Sequence, residues 1–417
     1  MSAEESTHHS APDNTTSVQA CVQEAINDKV PLEVVGGGSK RFYGRPVFAS
    51  RTLSLIKLSG VIDYQPGELL VVVRPGTPLM ELERTLAESK QALAFEPPHW
   101  GPEATIGGTM ACNLSGPRRV RAGAARDHLL GFEAVTGRGH IVRGGGRVVK
   151  NVTGYDLSKL MCGSFGTLAV LTELVIKVLP TAETERTVVV TGLDDAEAVS
   201  LLILASRSPH NVSGLAHLPR GVRAPKALSG VTADGDSLTL IRLEGPGPSV
   251  DHRARQIVKL TARSTVSVEQ EASALVWTAL RELEPLAIET GERLWRVSVP
   301  PNASAKFKAT LLNAASLSST EASTTTPQVF FDWGGGVVWC VLPGSLSASD
   351  VHRLAHDAGG HARLVRSAGA HEGMTGDEAV DQAFSPLDSV NRAVHQRLKL
   401  AFDPSGVLNP GRMYAGF

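Results

Sequence analysis

The hydrophobic pattern of the first 182 residues consists of short apolar runs separated by loops. It predicts a helix over 18–27 and strands wherever apolar residues alternate or cluster over a few positions. The predicted strands cover 31–35, 53–58, 69–74, 132–135, 140–142 and 167–179. Residues 1–17 show no apolar periodicity, so we expect a disordered tail there.

A second helix is predicted where Leu79, Leu82 and Leu86 recur at helical spacing. The three leucines would share one face of the helix and pack against the strands. Thr77 is the expected N-cap because its hydroxyl can accept a hydrogen bond from the first turn, and Pro78 suits the first helical position.

Beyond residue 181 the pattern becomes that of an α+β region. Strands are predicted over 187–190, 237–243 and 336–342, and helices over 195–205, 251–260 and 349–358. Residues 314–326 are rich in Ser and Thr and are interpreted as a flexible surface loop. A last helix is predicted over 389–402. The predicted domains therefore span 18–182, 183–388 and 389–417, and we find no internal repeat in the sequence.

Composition and charge exclude several classes of protein. The 417 residues carry a formal net charge of −1, which argues against a nucleic-acid binder. The four cysteines are too scattered for a disulfide framework or a zinc module. No apolar stretch approaches the about 20 residues that cross a bilayer, and the first residues lack the pattern of a signal peptide. These features predict a cytoplasmic protein that contacts a membrane only through partners.

Glycine is concentrated in one part of the chain. Residues 101–166 hold 14 of the 41 glycines, together with nine Lys or Arg against four acids. Glycine at this density indicates a main chain that turns sharply or approaches a ligand closely. The local excess of positive charge favours an anionic ligand.

The common phosphate-binding motifs do not account for these glycines. A Walker loop requires Gly followed by Lys, and this dipeptide is absent from the sequence. The segment 36–41 lacks the third glycine of the Rossmann fingerprint and does not lead into a helical pattern. Two glycine-rich loops remain, at Gly36–Lys40 and Thr105–Gly108. We expect their main-chain N–H groups to hold the two phosphates of a dinucleotide.

Several motifs in a fixed order carry a resemblance to a known family. In chain order they are Gly36–Lys40, Glu96–His99, Ala104–Gly108, Ala111–Arg119, Val149–Leu157, Gly163–Thr172 and Asn409–Arg412. This order resembles the FAD-binding domain of the vanillyl-alcohol-oxidase, or PCMH-type, family. The motifs Pro97–His99, Gly116–Arg119, Lys150–Leu157 and Asp332–Gly335 further resemble the E subunits of bacterial glycolate oxidases.

The resemblance implies a two-subdomain FAD-binding domain, an α+β cap domain and a C-terminal segment that returns to the flavin. It implies FAD-binding roles for two glycine loops, a segment lining the flavin, a segment closing over its other end, and the C-terminal motif. The implied residues are Gly36, Gly37, Gly38, Ser39, Lys40, Pro98, Thr105, Gly107, Gly108, Asn113, Gly116, Arg118, Asn151, Gly154, Tyr155, Asp156, Gly163, Gly166 and Asn409.

The resemblance also implies a reaction and partners. A small 2-hydroxy acid, glycolate, would be oxidised to glyoxylate by hydride transfer to N5 of the flavin. Electrons would pass to an iron–sulfur subunit, within a complex that also holds a catalytic flavoprotein subunit. Some relatives link the flavin covalently to a histidine of the first glycine loop. This loop carries Ser39 and Lys40 instead, so we expect non-covalent FAD.

One segment departs from the pattern of the catalytic relatives. Those proteins carry a histidine-containing metal motif on a strand of the C-terminal domain, whereas Val329–Gly336 has no histidine and a single acid. We therefore expect no metal site. Arg296 and Arg412 are the candidate anion contacts. An alternative is that the chain carries FAD as an assembly or electron-relay subunit without catalysis of its own. A nucleotide-binding regulatory protein is a third hypothesis.

Other sequence features are explained by structural roles without any part in function. Gly144–Gly146 is interpreted as a hairpin turn. For Tyr155, packing in the core is favoured over a part in the chemistry. His352 and His356 lie four residues apart on a predicted helix, a spacing that suits a metal. No third ligand follows at a recognisable spacing, so a solvated helix face is the favoured interpretation.

Overall fold

The computed structural model describes residues 8–147, 154–233, 235–261, 263–318, 327–367 and 382–417. Over these residues the chain separates into two units. The first unit comprises the residues up to Ser115, Ala124–Thr181 and Leu387–Phe417. The second comprises Gly116–Gly123 and Ala182–Pro386. No α-helix in these described ranges is long and apolar enough to cross a membrane.

Strands and helices are both abundant, which confirms the predicted α+β class. The strands are β1 (His8–Ser10), β2 (Leu32–Val35), β3 (Arg51–Ser54), β4 (Val61–Gln65), β5 (Leu70–Val73), β6 (Gln91–Ala92), β7 (Leu129–Thr136), β8 (Ile141–Gly145), β9 (Ala169–Lys177), β10 (Leu179–Pro180), β11 (Thr184–Thr191), β12 (Gly214–Leu218), β13 (Leu238–Gly245), β14 (Thr265–Glu269), β15 (Glu292–Ser298), β16 (Gln328–Asp332), β17 (Val337–Pro343) and β18 (His361–Ser367). The α-helices are α1 (Thr15–Asp28), α2 (Leu79–Glu88), α3 (Ile106–Cys112), α4 (Arg119–Ala122), α5 (Ala125–His128), α6 (Leu157–Met161), α7 (Asp195–Arg207), α8 (Gly247–Val258), α9 (Gln270–Arg281), α10 (Ser304–Ser318), α11 (Ala348–Asp357) and α12 (Ser389–Phe402).

The described part of the first unit contains two larger sheets and a small antiparallel pair of β6 with β10. One is five-stranded and antiparallel, in the order β4-β5-β9-β7-β8, and the other is three-stranded and parallel, in the order β1-β3-β2. The predicted apolar face of α2 is confirmed, because Leu79, Leu82 and Leu86 are fully buried in the core beside the five-stranded sheet. A second core joins α1 to β2 and β3.

The second unit contains a topological repeat that the sequence does not reveal. Among the described residues its strands form one sheet, in the order β14-β11-β13-β12-β16-β17-β15-β18. Strands and helices follow one another as β11-α7-β12-β13-α8-β14 and again as β15-α10-β16-β17-α11-β18. Each half is a β-α-β-β-α-β unit of the ferredoxin-like type. The two halves join edge to edge where β12 pairs with β16 through His217 and Phe331.

Several predicted boundaries are wrong. β1 pairs with β3, and α1 begins at Thr15 with the Asn14 side chain accepting from Ser17 N, so residues 8–17 are not a disordered tail. Residues 1–7 lie outside the described residues. The predicted loop 314–326 is wrong at its start, because 314–318 complete α10, and 319–326 are not described.

Two local predictions also fail for identifiable reasons. Thr77 does not cap α2; its hydroxyl donates to Arg74 O and accepts from Gly60 N. Gly144 and Gly145 do not form a hairpin turn but belong to β8, opposite Phe132 and Gly131. Gly145 has φ of +69°, and a Cβ there would lie 2.0 Å from Leu130 O. Close strand approach, and not a turn, requires this glycine.

A buried ion pair fixes the C-terminal segment to the first unit. Lys399 Nζ donates to Asp403 Oδ2 (2.7 Å) and to the carbonyls of Thr167 and Leu408. Asp403 in turn accepts from the main-chain N–H groups of Val407 and Leu408. All groups around the pair are therefore hydrogen-bonded, which is the condition under which a buried charge is tolerated. The pair sets the path of the chain from α12 to Asn409.

Replacing Asp403 by Asn should destabilise the first unit. Lys399 would keep its buried position without its counter-charge, and breaking a buried pair in this way costs about 3–5 kcal/mol. The control is Asp357→Asn, which removes an ion pair of the same i, i+4 spacing with Arg353 on an exposed helix face. That change should cost less than about 1 kcal/mol. Urea unfolding followed by circular dichroism compares the two, and equal losses would contradict the assignment.

The joint between the two halves of the second unit contains a buried histidine. His217 is fully buried, with Nδ1 2.9 Å from Thr239 Oγ1 and Nε2 3.4 Å from Asp195 Oδ1. Asp195 of α7 pairs with Lys308 of α10 (2.6 Å), so the network links one half to the other. Burial lowers the pKa of His217, although Asp195 partly opposes this effect.

The stability of the second unit should consequently depend on pH. Because the folded-state pKa is depressed, the unfolded chain binds a proton more readily. The resulting stability is fully present well above pH 6.5 and is lost as the pH falls below that value. The loss can reach about 1.4 kcal/mol per pH unit. Thermal unfolding between pH 8 and 5.5 should show this slope, and His217→Asn should reduce it. An unchanged slope in the variant would refute the role of His217.

Candidate functional site

The first glycine loop lines an open cleft of about 530 Å³ in the first unit. It follows β2 directly. A Cβ at Gly37 would lie 1.7 Å from Glu103 O, and one at Gly36 would lie 2.3 Å from Thr105 Oγ1. Gly38 has φ of +79°, which favours glycine. Gly36, Gly37 and Gly38 therefore present only main-chain atoms to their neighbours and to anything bound in the cleft.

The second glycine motif forms the opposite wall of the cleft. Thr105 caps α3, and its Oγ1 accepts from Gly108 N (3.3 Å). A Cβ at Gly107 would lie 2.5 Å from Pro75 Cβ, so this position also excludes a side chain. The sequence pattern predicted a loop here, whereas Thr105 ends an extended segment and Ile106 begins a helix.

The two motifs differ in the main-chain donors that they leave available. The N–H groups of Ile106, Gly107 and Gly108 donate to Thr77 O, Pro75 O and Thr105 Oγ1. The N–H groups of 36–39 have no acceptor among the described residues. Successive free N–H groups in a glycine loop form a concave anion site. The first loop thus offers donors for phosphate, while the second shapes the wall.

A third segment, 164–166, forms the inner part of the cleft, whereas the neighbouring Gly163 lines a separate cavity. Gly163, Phe165 and Gly166 all have left-handed φ values, of +93°, +55° and +69°. The main chain is tied to α3 by bonds from Gly163 N to Met110 O and from Phe165 N to Ala111 O. This inner cavity measures about 470 Å³ and includes apolar side chains from β2 and β9, together with Leu55, which follows β3.

Asn409 closes the cleft from the C-terminal segment. Its Oδ1 accepts from Val34 N (2.7 Å) and its Nδ2 donates to Phe165 O (2.8 Å). A Cβ at Gly166 would lie 2.8 Å from that Nδ2. The Asn409 side chain lines both cavities, and its contact with the cofactor stays a prediction.

Arg412 holds the main chain beside the first glycine loop. Its guanidinium is buried and donates to four main-chain carbonyls, those of Lys40, Arg41, Tyr43 and Arg45, at 2.7–3.0 Å. These bonds use both Nη atoms, and the side chain also lines the cleft. Arg412 therefore positions the chain that follows the first glycine loop, and its contact with an anion stays a prediction.

Lys40 is a buried cation at the edge of the cleft. Its Nζ donates to Ser39 Oγ (2.9 Å) and to His99 O (3.0 Å). His99 Nε2 in turn lies 3.0 Å from Glu83 Oε2. The ammonium group therefore has a fixed position beside the free N–H groups of the first loop, where it adds positive charge.

Other predicted residues make contacts that account for them without a ligand. Asn113 ends α3 with φ of +51°, and its Oδ1 accepts from Arg126 N (3.2 Å). Pro98 is buried. Asp156 caps α6 and forms an ion pair with Lys159. Their proposed contacts with a cofactor stay predictions.

Some predicted residues lie outside the described cavities of the first unit. Tyr155 is 94% exposed, so its interpretation as a core residue is wrong. Gly154 is also exposed, and Asn151 lies outside the described residues. Gly116 and Arg118 belong to the second unit, where Arg118 Nη2 lies 2.6 Å from Glu244 Oε1.

The histidine pair on α11 does not form a metal site. His352 is buried, with Nδ1 3.1 Å from Ser385 Oγ and Nε2 2.7 Å from Gln382 O, whereas His356 is exposed. The solvated-face interpretation is therefore wrong for His352. Nowhere in the described ranges do three His, Cys, Asp or Glu side chains form a group that could hold a metal ion.

The sequence pattern missed several residues that line the cleft. They are Val34, Val35, Val47, Ala111, Cys112 and Phe165. Most of them directly flank the glycine motifs in the sequence, and this position could have indicated that they line the cleft. Their apolar character became informative only when the fold placed them opposite one another.

The cleft fits an elongated dinucleotide. The two cavities share Val34–Gly36, Gly108, Ala111, Phe165 and Asn409, so they form one continuous groove. One part offers free N–H groups and the Lys40 ammonium, as a pyrophosphate requires. The inner part offers Leu55, Pro75 and Val170, which suit an aromatic base. Glycine at these positions keeps side chains out of the groove, so its space stays open.

Comparison with known proteins supports this assignment. The family described as FAD binding domain matches residues 9–145. The glycolate oxidase subunit GlcE of Escherichia coli strain K12 is 37% identical over 394 residues, which cover 94% of this chain and 95% of that protein. The glycolate oxidase subunit GlcD of Bacillus subtilis strain 168 is 27% identical over 427 residues, covering 97% of this chain and 88% of that protein.

The solved structure of 4-ethylphenol oxidase from Gulosibacter chungangensis shares the fold, with a TM-score of 0.71 at 16% identity. The alignment covers 100% of this chain and 91% of that structure. The expected FAD cofactor and PCMH-type domain are confirmed by these similarities. The glycine-walled groove and the identity along nearly the whole length agree, and the chain belongs to the GlcE family of FAD-binding glycolate oxidase subunits.

Proposed function

We propose that this chain is the FAD-carrying subunit of a complex that oxidises glycolate, a 2-hydroxy acid, to glyoxylate. The observation that carries the proposal is the groove between Gly36–Lys40 and Asn409, found in a chain similar to a glycolate oxidase subunit along its whole length. The other subunits would be a catalytic flavoprotein and an iron–sulfur protein. Glycolate loses two hydrogens in this reaction, and FAD supplies a two-electron acceptor when it is bound.

The residues of the groove would bind and orient the cofactor in distinct ways. The free N–H groups of 36–39 would donate to the phosphates, and the Lys40 ammonium would offset their charge. Asn409 and Arg412 would hold the loop in its binding shape, because both bond to its flanking main chain. Ser39 and Lys40 occupy the loop positions where some relatives have a flavin-linked histidine, and we propose a non-covalent cofactor.

A second candidate function is that of an electron-relay or assembly subunit which carries FAD without oxidising glycolate itself. The observation that favours it concerns Asp332, the single acid of Val329–Gly336. Asp332 is buried, and its Oδ1 accepts from Trp333 N (2.7 Å). This carboxylate stabilises a turn of the protein, and this structural role replaces that of a ligand to a substrate metal.

Replacing Gly37 by Ala should abolish flavin binding. The new methyl group would meet Glu103 O at 1.7 Å, so the loop must move away from the position that its donors require. The matched control is Gly67→Ala in the same unit, where a Cβ meets nothing within 4 Å and φ is not left-handed. Flavin absorbance per chain after purification compares the two. Retention of full flavin by Gly37→Ala would refute the proposed role of the loop.

Acid precipitation should release all flavin from the wild-type chain into the supernatant. This result follows from non-covalent binding, since unfolding removes every contact that holds the cofactor. Flavin fluorescence of the supernatant and of the redissolved pellet measures the distribution. Flavin that stays with the polypeptide would establish a covalent link and overturn this part of the proposal.

Glycolate added without oxygen to the purified, flavin-loaded chain should bleach its flavin absorbance if the chain is catalytic. The same experiment on the assembled complex provides the reference. Bleaching in the complex but not in the isolated chain would establish the relay function. A chain purified without any flavin would refute both functions.

A further inference from the structure

Helix α12 turns its apolar side to the solvent. Among its fourteen residues, all of which are described, Lys399 alone is buried. Val390 is 72% exposed and Val394 is 44% exposed, although a surface helix ordinarily turns its apolar stripe toward the core. The one side chain that α12 buries is therefore charged, and its ion pair with Asp403 accounts for it. The exposed apolar residues have no such explanation within the first unit.

These apolar residues share one side of the helix with an arginine. The members of this set recur at spacings of four, three and four residues, which places them on the same side of a helix. They are Val390, Val394, Arg397 and Ala401, and we call them the outward face of α12. Lys399 lies two residues from both Arg397 and Ala401, which places it on the opposite side. With 3.6 residues per turn, the outward face extends over about three turns.

A cavity of the first unit adjoins the outward face. Leu398 lies one turn after Val394 on the flank of this face, and it lines a cavity of about 610 Å³. Most of the other lining residues are apolar or aromatic, and they include Leu160, Leu168, Met413, Tyr414 and Phe417. An apolar helix face beside an apolar cavity can receive another helix that inserts one bulky side chain as an anchor.

Arg397 determines the charge of the expected partner. It is exposed, lies near the middle of the outward face, and has no ion-pair partner among the residues that the structure describes. Covering it with a purely apolar surface would bury an unpaired charge, and an opposing carboxylate removes this cost. Helix α12 itself contains no Asp or Glu. The outward face therefore fits an apolar helix surface that carries one acidic residue.

Two other occupants fit this face less well. A second copy of the chain would bring two Arg397 side chains together near the centre of the paired helices, with no acid on either helix to offset their repulsion. A lipid surface favours bulky Trp, Phe or Leu on the inserted face. The outward face presents Val and Ala instead, and small side chains permit the close approach of another helix.

We propose that the outward face of α12 and the adjoining cavity dock an amphipathic helix of a companion subunit, with an acidic residue of that helix opposite Arg397. The existence of companion subunits rests on the proposed function, whereas the docking face rests on the exposure and the charge of α12. An exposed apolar patch of this kind is typical of a surface that a partner covers.

The test uses site-specific photo-crosslinking of the full-length chain in the source organism. The photoreactive residue p-benzoylphenylalanine replaces Ala393, an exposed residue at the edge of the outward face. Illumination should attach one segment of another protein, with apolar residues at helical spacing and an acid among them, which mass spectrometry of the crosslinked peptides identifies. Crosslinks confined to this chain, to a second copy or to phospholipid, or no crosslink, would overturn the proposal.

Substitutions on the outward face measure its contribution. Val394→Asp and Arg397→Glu should each reduce copurification of the crosslinked partner by about tenfold or more, and Arg397→Lys should retain most of it. The matched control is Leu204→Asp, which changes a leucine of α7 that is 49% exposed and should leave copurification unchanged. Replacing the opposing acid of the partner by Lys should restore the binding of Arg397→Glu.

Circular dichroism and flavin content identify any variant that fails to fold. Unchanged copurification with folded Val394→Asp and folded Arg397→Glu would contradict the docking face. The outcomes also separate this proposal from the proposed function. A docked acidic helix from a protein that is neither a flavoprotein nor an iron–sulfur protein would support the face and contradict the proposed complex. A complex that oxidises glycolate without any crosslink to α12 would refute the docking face alone.

Discussion

The cofactor groove depends on hydrogen bonds that join the C-terminal segment to β2 and to the loop that follows it. Asn409 bonds to Val34, 375 positions earlier in the sequence, and Arg412 bonds to four carbonyls that follow the first glycine loop. The Lys399–Asp403 pair sets the path of the segment that carries both residues. The groove therefore takes its shape only when the C-terminal segment meets β2 and the loop after it, and the ordering cost of this closure is offset by fully satisfied buried polar groups.

This closure explains why the two glycine motifs act differently. The start of α3 uses its N–H groups on Thr77, Pro75 and Thr105, so it is a structural wall. The loop after β2 keeps its N–H groups available because Arg412 and Asn409 bond to the main chain on either side of it. Rigid support from the C-terminal segment and free donors in the loop are complementary requirements for a phosphate site.

The second unit shows how a repeated architecture can position unlike residues. Two β-α-β-β-α-β halves meet at the pairing of β12 with β16, and the network of His217, Asp195 and Lys308 spans this joint. The Trp333 turn follows β16 directly, so it lies close to the same joint. At this turn the Trp333 indole donates to Gly116 O, and the guanidinium groups of Arg119 and Arg296 contact its ring.

Local pattern by itself determined the helices and strands with strong periodicity, such as the apolar face of α2 and the whole of α12, and the ordered glycine motifs identified the family and the cofactor. Only the tertiary structure decided the roles of Arg412, Thr77, Tyr155 and Gly145. The physical reason is that a guanidinium, a hydroxyl or a glycine serves equally well in a ligand site, a cap or a strand contact. The role that such a group takes depends on the residue it contacts, and that residue comes from a remote part of the chain.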